Sequence, residues 1–349
     1  MHKTGFVALA AAATLALPGV ASADNTNVTI YGLIDINLGY EKAGSLKHTG
    51  VDPSELNGSR IGFKGTEDLG NGLKALFVLE TGFDPDTGAT GQGGRQFGRQ
   101  GFVGLEGNWG KLTLGRQYSP AFVALDPFEA TGGADRTAGL LHRKSGSVKR
   151  GYETRFDNMI KYRSPSFGGF SADVGYWTGA ENTGPDEDAR KQGRGYGITG
   201  LYKNGPFAAA ITTQSVYTDA TGGQASTHGI AGAYDFKVVK AYLLYSQDRE
   251  SGTAGKGKAR SYALGAEIPV SAAGTVAVSY GARDESNEAD AEDAHGWSVY
   301  YMHNLSKRTT LYTAYSHISN KGDANYGWNL TPAAGDDPSV VMAGIRHRF

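Results

Sequence analysis

From Asn25 to the C-terminus the chain repeats one spacing, in which short runs of alternating polarity are joined by links that are alternately short and long. Phe170-Ser171-Ala172-Asp173-Val174-Gly175-Tyr176, Tyr262-Ala263-Leu264-Gly265-Ala266-Glu267-Ile268 and Trp297-Ser298-Val299-Tyr300-Tyr301 are examples. In each, one set of alternate residues is apolar or aromatic and the other is small, polar or charged. That is the period of a β-strand whose two faces meet different environments.

Roughly sixteen such runs cover nearly all of the chain outside its loops. A sandwich of this size would leave open edges to protect, whereas an even, up-and-down series with short turns on one side and long loops on the other fits a closed barrel. A barrel of about sixteen strands is too wide for side chains to fill, so its inner face is wet and its outer face meets lipid. The expected fold is therefore all-β, a 16-stranded antiparallel transmembrane β-barrel.

The N-terminus points to export. Met1-His2-Lys3 is a basic start, Gly5 to Leu17 is an apolar run too short to span a bilayer, and Ala21-Ser22-Ala23 supplies small residues before Asp24. Residues 1–23 are read as a signal peptide cleaved after Ala23, and residues 24–349 as one barrel domain. Loss of Lys3 takes the formal net charge from −1 to −2, which gives no reason to expect nucleic acid. Mean hydropathy is −0.38 and no later stretch has the ~20 apolar residues of a membrane helix, a combination compatible with membrane residence only for a barrel. The chain has no cysteine, while its 52 glycines and 19 tyrosines suit tight strands and interfacial aromatic belts.

Asn, Gly and Pro mark the short links, at Glu67 to Gly72, Gly107 to Gly110, Ser164 to Gly168, Lys203 to Pro206, around Phe236-Lys237, Pro269 to Gly274 and Asn304 to Lys307. The long links run from about Lys42 to Asp52, Phe83 to Gly94, Ser119 to Thr154, Gly179 to Gln192, Thr218 to Ala225, Arg249 to Lys256, Asp284 to Asp293 and Ser319 to Pro338. The third is much the longest. In a wide barrel its simplest use is to fold into the lumen and narrow it.

Several segments resemble the general trimeric diffusion porins of Gram-negative outer membranes, most closely the group found in Neisseria, Bordetella and Burkholderia relatives. They are Val28-Thr29-Ile30-Tyr31-Gly32 with Asp35, Ser59 to Ala75, Arg99 to Leu105, Gly115-Arg116-Gln117, Lys161 to Pro165, Leu305 to Thr309, and the ending Gly344-Ile345-Arg346-His347-Arg348-Phe349. The resemblance implies a homotrimer in the outer membrane, in contact with lipid and lipopolysaccharide, passing ions and small hydrophilic solutes with no cofactor. It further implies a row of arginines on the wall, matched by Arg60, Arg99 and Arg155, opposed by acidic residues of the third loop, here Asp126, Glu129 and Asp135. The terminal Phe349 is implied as an assembly signal.

Strand phase bears on the same residues. Ile61 and Phe63 face out, so Arg60 and Lys64 face in. Lys74 and Glu80 oppose Leu73, Ala75, Phe77 and Leu79. Arg155, Asp157 and Lys161 are expected inside, with Phe156, Ile160 and Tyr162 outside. A cation at the lipid midplane costs about 2–4 kcal/mol, which fixes these phases. Arg99 shares a face with Val103 and Leu105, so its placement rests on the resemblance alone. Arg116 has the phase of Leu112 and Leu114, outward, and suits either the membrane interface or a subunit contact; the resemblance favours the contact. Arg136, His142, Arg143, Lys144, Lys149 and Arg150 follow the loop carboxylates, which favours anions over cations.

Enzyme motifs are weak. Gly195-Tyr196-Gly197-Ile198-Thr199-Gly200 matches a nucleotide-loop pattern but sits inside a strand, and Asp84 to Gly88 is a fragment of a calcium loop. A barrel hydrolase or an adhesin or receptor barrel are the alternative functions.

Overall fold

The computed structural model describes residues 27–130, 138–143, 151–179, 192–219, 221–252, 256–286 and 292–349, with the side chains of 138, 142 and 143 left out. The signal peptide lies outside the described residues. Seventeen strands form a single antiparallel sheet that closes where β1 (Asn27–Ala43) pairs with β17 (Ser339–Arg348). Both β2 (Leu46–Pro53) and β3 (Arg60–Gly70) pair with β1, over its second and first halves respectively. They are two halves of one stave, so the barrel has sixteen.

The remaining staves are β4 (Leu73–Gly82), β5 (Gln100–Gly107), β6 (Gly110–Tyr118), β7 (Arg155–Arg163), β8 (Phe170–Thr178), β9 (Arg194–Asn204), β10 (Phe207–Tyr217), β11 (Gln224–Asp235), β12 (Lys240–Ser251), β13 (Gly257–Pro269), β14 (Gly274–Ser286), β15 (Ala294–Asn304) and β16 (Thr309–Asn320). Alternation is clearest from β8 to β16. In β11, for example, Ala225, Thr227, Gly229, Ala231 and Ala233 are buried while His228, Ile230 and Tyr234 are exposed. The outer face exposes many large apolar side chains, Leu38, Val103, Ile211 and Leu264 among them, an arrangement stable only against an apolar phase. Tight turns sit where Asn, Gly and Pro mark them; at Asn71-Gly72 both residues have positive φ, 53° and 77°, the twist a two-residue hairpin requires.

Two expectations are corrected. The segment from Lys42 to Asp52 is not a loop. β1 runs on to Ala43 and returns after Gly44-Ser45 as β2, with Lys42 paired to Lys47 and Asn37 to Asp52. Alternation is poor there because Lys, His, Thr and Gly carry no apolar set. The irregular stretch lies instead between β2 and β3, where Ser54 has φ 64° and the chain dips into the lumen. There the Asp35 carbonyl accepts Ser54 N–H at 2.8 Å, the Asp35 carboxylate accepts Asn57 N–H at 2.7 Å, and Tyr300 donates to Glu55 at 2.8 Å. Leu56 is fully buried against Tyr300, Tyr312 and Met342.

The second correction concerns β7. Between β6 and β7 the register slips at Gly115/Gln117, and Asn158 takes φ 53°. This bulge places two residues, Asp157 and Asn158, opposite Arg116 and reverses the alternation beyond it. Asp157 turns to Arg116 instead of following Lys161, and Phe156 stacks on the buried Trp177 at 3.8 Å.

Candidate functional site

The segment after β6 folds inward. Ser119 caps a helix, Pro120–Leu125, its hydroxyl accepting Phe122 N–H at 3.1 Å, and Pro120 occupies the first helical turn, where it lacks only a donor that has no partner there. Gln214 of β10 clamps both limbs, accepting from Ala121 N–H at 3.3 Å and donating to the Gly151 carbonyl at 2.7 Å. Thr199 donates to the Pro120 carbonyl at 2.9 Å. Beneath the helix the inner wall is small. Ala210, Ala231, Ala233 and Ala263 pack with Ala121, Ala124, Leu125 and Phe128. A Cβ on Gly229 would lie 2.8 Å from Leu125, and one on Gly265 2.7 Å from Ala130. Gly197 of the nucleotide-loop look-alike serves the same purpose, its missing side chain making room for Pro120 and Gln214. A further helical turn, Ala138–Arg143, places Leu141 against Ile318, Ala324 and Tyr326.

The opposite wall gathers its charges on one another: Arg99 and Glu80 are buried, Arg60 and Arg155 are partly exposed and Lys64 is exposed. Arg60 starts β3 inside, donating through Nε to the Gly58 carbonyl at 2.7 Å. Arg99 comes one residue before β5, so strand phase does not bind it. Its backbone N–H donates to the Glu80 carbonyl, and its side chain turns inward to Glu80, with Nε 2.8 Å from Oε1. Arg99 Nη2 and Arg155 Nη2 both donate to the Tyr118 hydroxyl, at 2.8 and 3.1 Å, and the Arg155 guanidinium lies 4.6 Å from the Tyr118 ring centroid. Tyr31 completes the group by donating to Glu80 Oε2 at 2.9 Å, while Lys64 lies over its ring at 5.2 Å. Three arginines distant in sequence are thus gathered around one carboxylate and one phenol. Arg60 and Arg155 each repel Arg99 and are attracted by Glu80, leaving a formal surplus of two positive charges on this patch.

Other candidate residues are spread more widely. Lys161 donates to the Tyr118 carbonyl at 2.9 Å and lies beside the group, whereas Lys74 is exposed further down the same wall. Asp126 ends the infolded helix half-buried; Glu129 is only 2 % exposed and offers little of its carboxylate to water. Asp135, with Arg136, Lys144, Lys149 and Arg150, lies outside the described residues, as do the side chains of His142 and Arg143. Arg116 stays on the face of Leu112 and Leu114, bonded to Asp157 at 2.7 Å and the Gly98 carbonyl at 2.7 Å; Arg95 joins Asp157 at 2.8 Å. Phe349 pairs its backbone with Gly32 in both directions at 3.1 Å, and its ring fills the space a Gly32 side chain would need.

Tyr31, Tyr118 and Glu80 complete the patch, and the sequence offered a signal for Glu80, an inward carboxylate on a basic wall. Tyr118, at the end of β6, could not be told from the tyrosines of the aromatic belts. Tyr31 lies inside β1 in the phase of the buried Asp35, opposite the exposed Val28 and Ile30, whereas Tyr118 ends β6, where alternation lapses and its contacts set its direction.

The arrangement is that of a wet lumen with one charged wall and one wall covered by a loop. Comparisons with known proteins agree with it. A family model described as Gram-negative porin matches residues 8–323. An outer membrane porin of Bordetella pertussis is 33% identical, with 98% of this chain and 99% of that protein covered, and outer membrane porin protein 32 of Delftia acidovorans is 35% identical with the same coverage. In structure, an anion-selective porin from Comamonas acidovorans superposes with a TM-score of 0.84 at 32% identity, covering 93% of this chain and all of the other. The chain belongs to the Gram-negative porin family, the diffusion channels of the outer membrane.

Proposed function

We propose that the chain forms a trimeric general diffusion pore with a preference for anions, and that Arg60, Arg99 and Arg155 are its basic wall, supported by Lys64, Lys74 and Lys161. The observation that carries this reading is the convergence of the three guanidinium groups on Glu80 and Tyr118 opposite a seated loop. Charge lining a narrow aqueous passage between low-dielectric walls sets a local potential that sorts ions and orients dipolar solutes. The loop is a weak counterweight, because Glu129 is buried and Asp126 only half-exposed. The anion-selective porin from Comamonas acidovorans supports the same sign.

The trimer is supported by a gap in the aromatic belts. Tyr and Trp recur at outward positions from β8 to β16, for example Tyr176, Tyr196, Tyr262, Tyr280, Trp297 and Tyr315, where rings anchor at the membrane interface. The outward faces of β3, β4 and β5 carry Ile61, Phe63, Phe77, Leu79, Val103 and Leu105, with no Tyr or Trp. A face without interfacial anchors suits a neighbouring subunit, and Arg116 with Asp157 and Arg95 lies at its loop end. Phe349, clasped at the seam, is read as the signal for assembly.

The reading is tested in planar bilayers under a salt gradient. The parent should give a reversal potential of anion sign. R60Q/R99Q/R155Q should lower the anion-to-cation permeability ratio by roughly an order of magnitude, since a charge a few ångströms from the ion path is worth on the order of 1 kcal/mol after screening. Unchanged reversal potentials in a correctly folded variant would place the selectivity elsewhere.

A further inference from the structure

Ion flow past the charged wall leaves a cavity on the covered wall without a role. Below the seated helix the third loop stands off the strands. A hollow of about 730 Å³ remains there between Val123, Pro127 and Phe128 of the loop and Leu201, Ala208 and Ala233 of the wall. Alternation assigns these strand residues to the lumen: Thr199, two before Leu201, donates to the Pro120 carbonyl, and Ala210, two beyond Ala208, packs under the loop. Ser166, Gly205 and Pro206, from two short turns, form the lower rim. Transmembrane barrels turn tightly on the periplasmic side, so the hollow lies at the periplasmic end of the passage.

Lys203, Asp235 and Lys240 border this hollow, and the two lysines are not equally balanced. Lys240 of β12 stands directly across from Asp235 on one side and Glu267 on the other, and its ammonium lies 4.8 Å from the Tyr242 ring centroid. Lys203 of β9 has no such neighbours. It stands across from Ala208 on β10, its backbone N–H donates to the Gly169 carbonyl, and its exposed side chain forms no ion pair among the described residues. Asp173, a carboxylate on the inward face of neighbouring β8, is taken up by Arg163, which donates to its two oxygens at 2.7 and 2.6 Å. The hollow is thus an apolar slot with one unmatched ammonium at its edge. That composition suits a ligand with an apolar body and a single negative charge, and the volume falls within the range of small-molecule pockets, about 300–1,000 Å³.

We propose that this hollow binds amphipathic monocarboxylates, with the apolar body against Val123, Phe128, Leu201 and Ala233 and the carboxylate on the Lys203 ammonium. Seating the body removes apolar surface of both partners from water, and the ammonium fixes its direction through a charge-assisted hydrogen bond. A small hydrophilic anion gains only the second contact, which is weak at an exposed lysine. An uncharged apolar molecule gains only the first. Because the occupant lies against the underside of the loop, it narrows the periplasmic half of the passage while bound, so these acids interrupt the current as well as cross. The site stands apart from Arg60, Arg99 and Arg155 on the other wall and does not depend on the sign of the selectivity.

Single-channel recording tests this, with 4-phenylbutyrate on both sides of the membrane as the probe and acetate and 4-phenylbutanol at equal concentration as comparators. In the parent, phenylbutyrate should produce saturable current interruptions that neither comparator gives. Lys203→Gln should raise the half-blocking concentration roughly tenfold, as expected for loss of a charge-assisted contact. Ala208→Leu, which fills the hollow, should raise it by a similar factor with Lys203 in place. Where Ala208→Leu changes the conductance without probe, Leu201→Ser, which takes apolar surface from the slot instead, gives the same comparison. R60Q/R99Q/R155Q should keep the interruptions, so that failure of the basic wall as the selectivity element and failure of this site are read apart. Equal half-blocking concentrations in the parent and Lys203→Gln, or equal blockade by either comparator, would overturn the proposal.

Discussion

The two inner walls of this barrel solve opposite problems with the same alternation. On the wall from β3 to β7 the inward positions carry long charged side chains, Arg60, Lys64, Glu80, Arg155 and Lys161, whose hydration and mutual contacts replace a covering element. On the wall from β8 to β13 most inward positions beneath the third loop are glycine, alanine or short polar residues, such as Gly175, Gly197, Ala210, Gly229, Ala231 and Ala263, with Tyr242 and Leu244 packed in the same cluster. The difference teaches that the pore is shaped by side-chain length as much as by charge. Where the wall is short the loop comes in; where it is long and charged the water stays.

The strongest expected effect on that contrast comes from lengthening the covered wall. Gly229→Leu puts a branched side chain where Leu125 already sits 2.8 Å from the position of a Cβ, an overpacking that costs typically about 1–3 kcal/mol. The loop should lift, raising single-channel conductance and widening the solute cutoff in liposome swelling with graded sugars. Because the basic wall is untouched, the sign of the reversal potential should persist. A variant with parent conductance and cutoff would mean the loop is not held by this seat.

A smaller change is expected on the charged wall. Glu80→Gln removes the carboxylate that holds Arg99 and Tyr31, so the formal surplus rises from two to three and Arg99 keeps only its bond to the Tyr118 hydroxyl. Anion preference should increase by a few-fold, with Arg99 more mobile and the barrel modestly less heat-stable, since a buried cation left without its partner is unfavourable. A shift toward cations would show that Arg99 needs Glu80 to reach the ion path.

The smallest effects belong to the loop carboxylates, and they should differ from each other. Asp126→Asn should move the reversal potential toward anions by less than roughly twofold in permeability ratio, because the group is half-exposed and screened. Glu129→Gln should move it less, its carboxylate being buried. The reverse order would place Glu129 in the water column and redraw the constriction.

How much of this could be read from sequence follows the regularity of the strands. Arg60, Lys64 and Lys74 were legible because Ile61, Phe63, Ala75 and Phe77 fix the phase around them. The same reasoning misplaced Phe156 and Asp157, because a bulge at Asn158 inserts one residue and no composition cue announces it. It also missed the hairpin from Lys42 to Asp52, whose residues lack an apolar face, and the inward dip at Glu55-Leu56, which is held by Asp35 and Tyr300 from distant strands. The loop's destination was written in the sequence only as a scarcity of large inward side chains from β8 to β13. Glycine and alanine read equally well as tight strand packing until the partner is seen.

The contrast between the two walls can be measured directly, because the chain has no cysteine. Single substitutions Lys64→Cys on the charged wall and Ala231→Cys beneath the loop, each probed in a bilayer with a charged, water-soluble thiol reagent while current is recorded, report which wall meets the water column. Reaction at position 64 should be fast and should reduce the current, whereas position 231 should stay unreactive until Gly229→Leu is added to lift the loop. Equal reaction rates at the two positions in the otherwise unaltered protein would contradict the account, since both walls would then line the open pore.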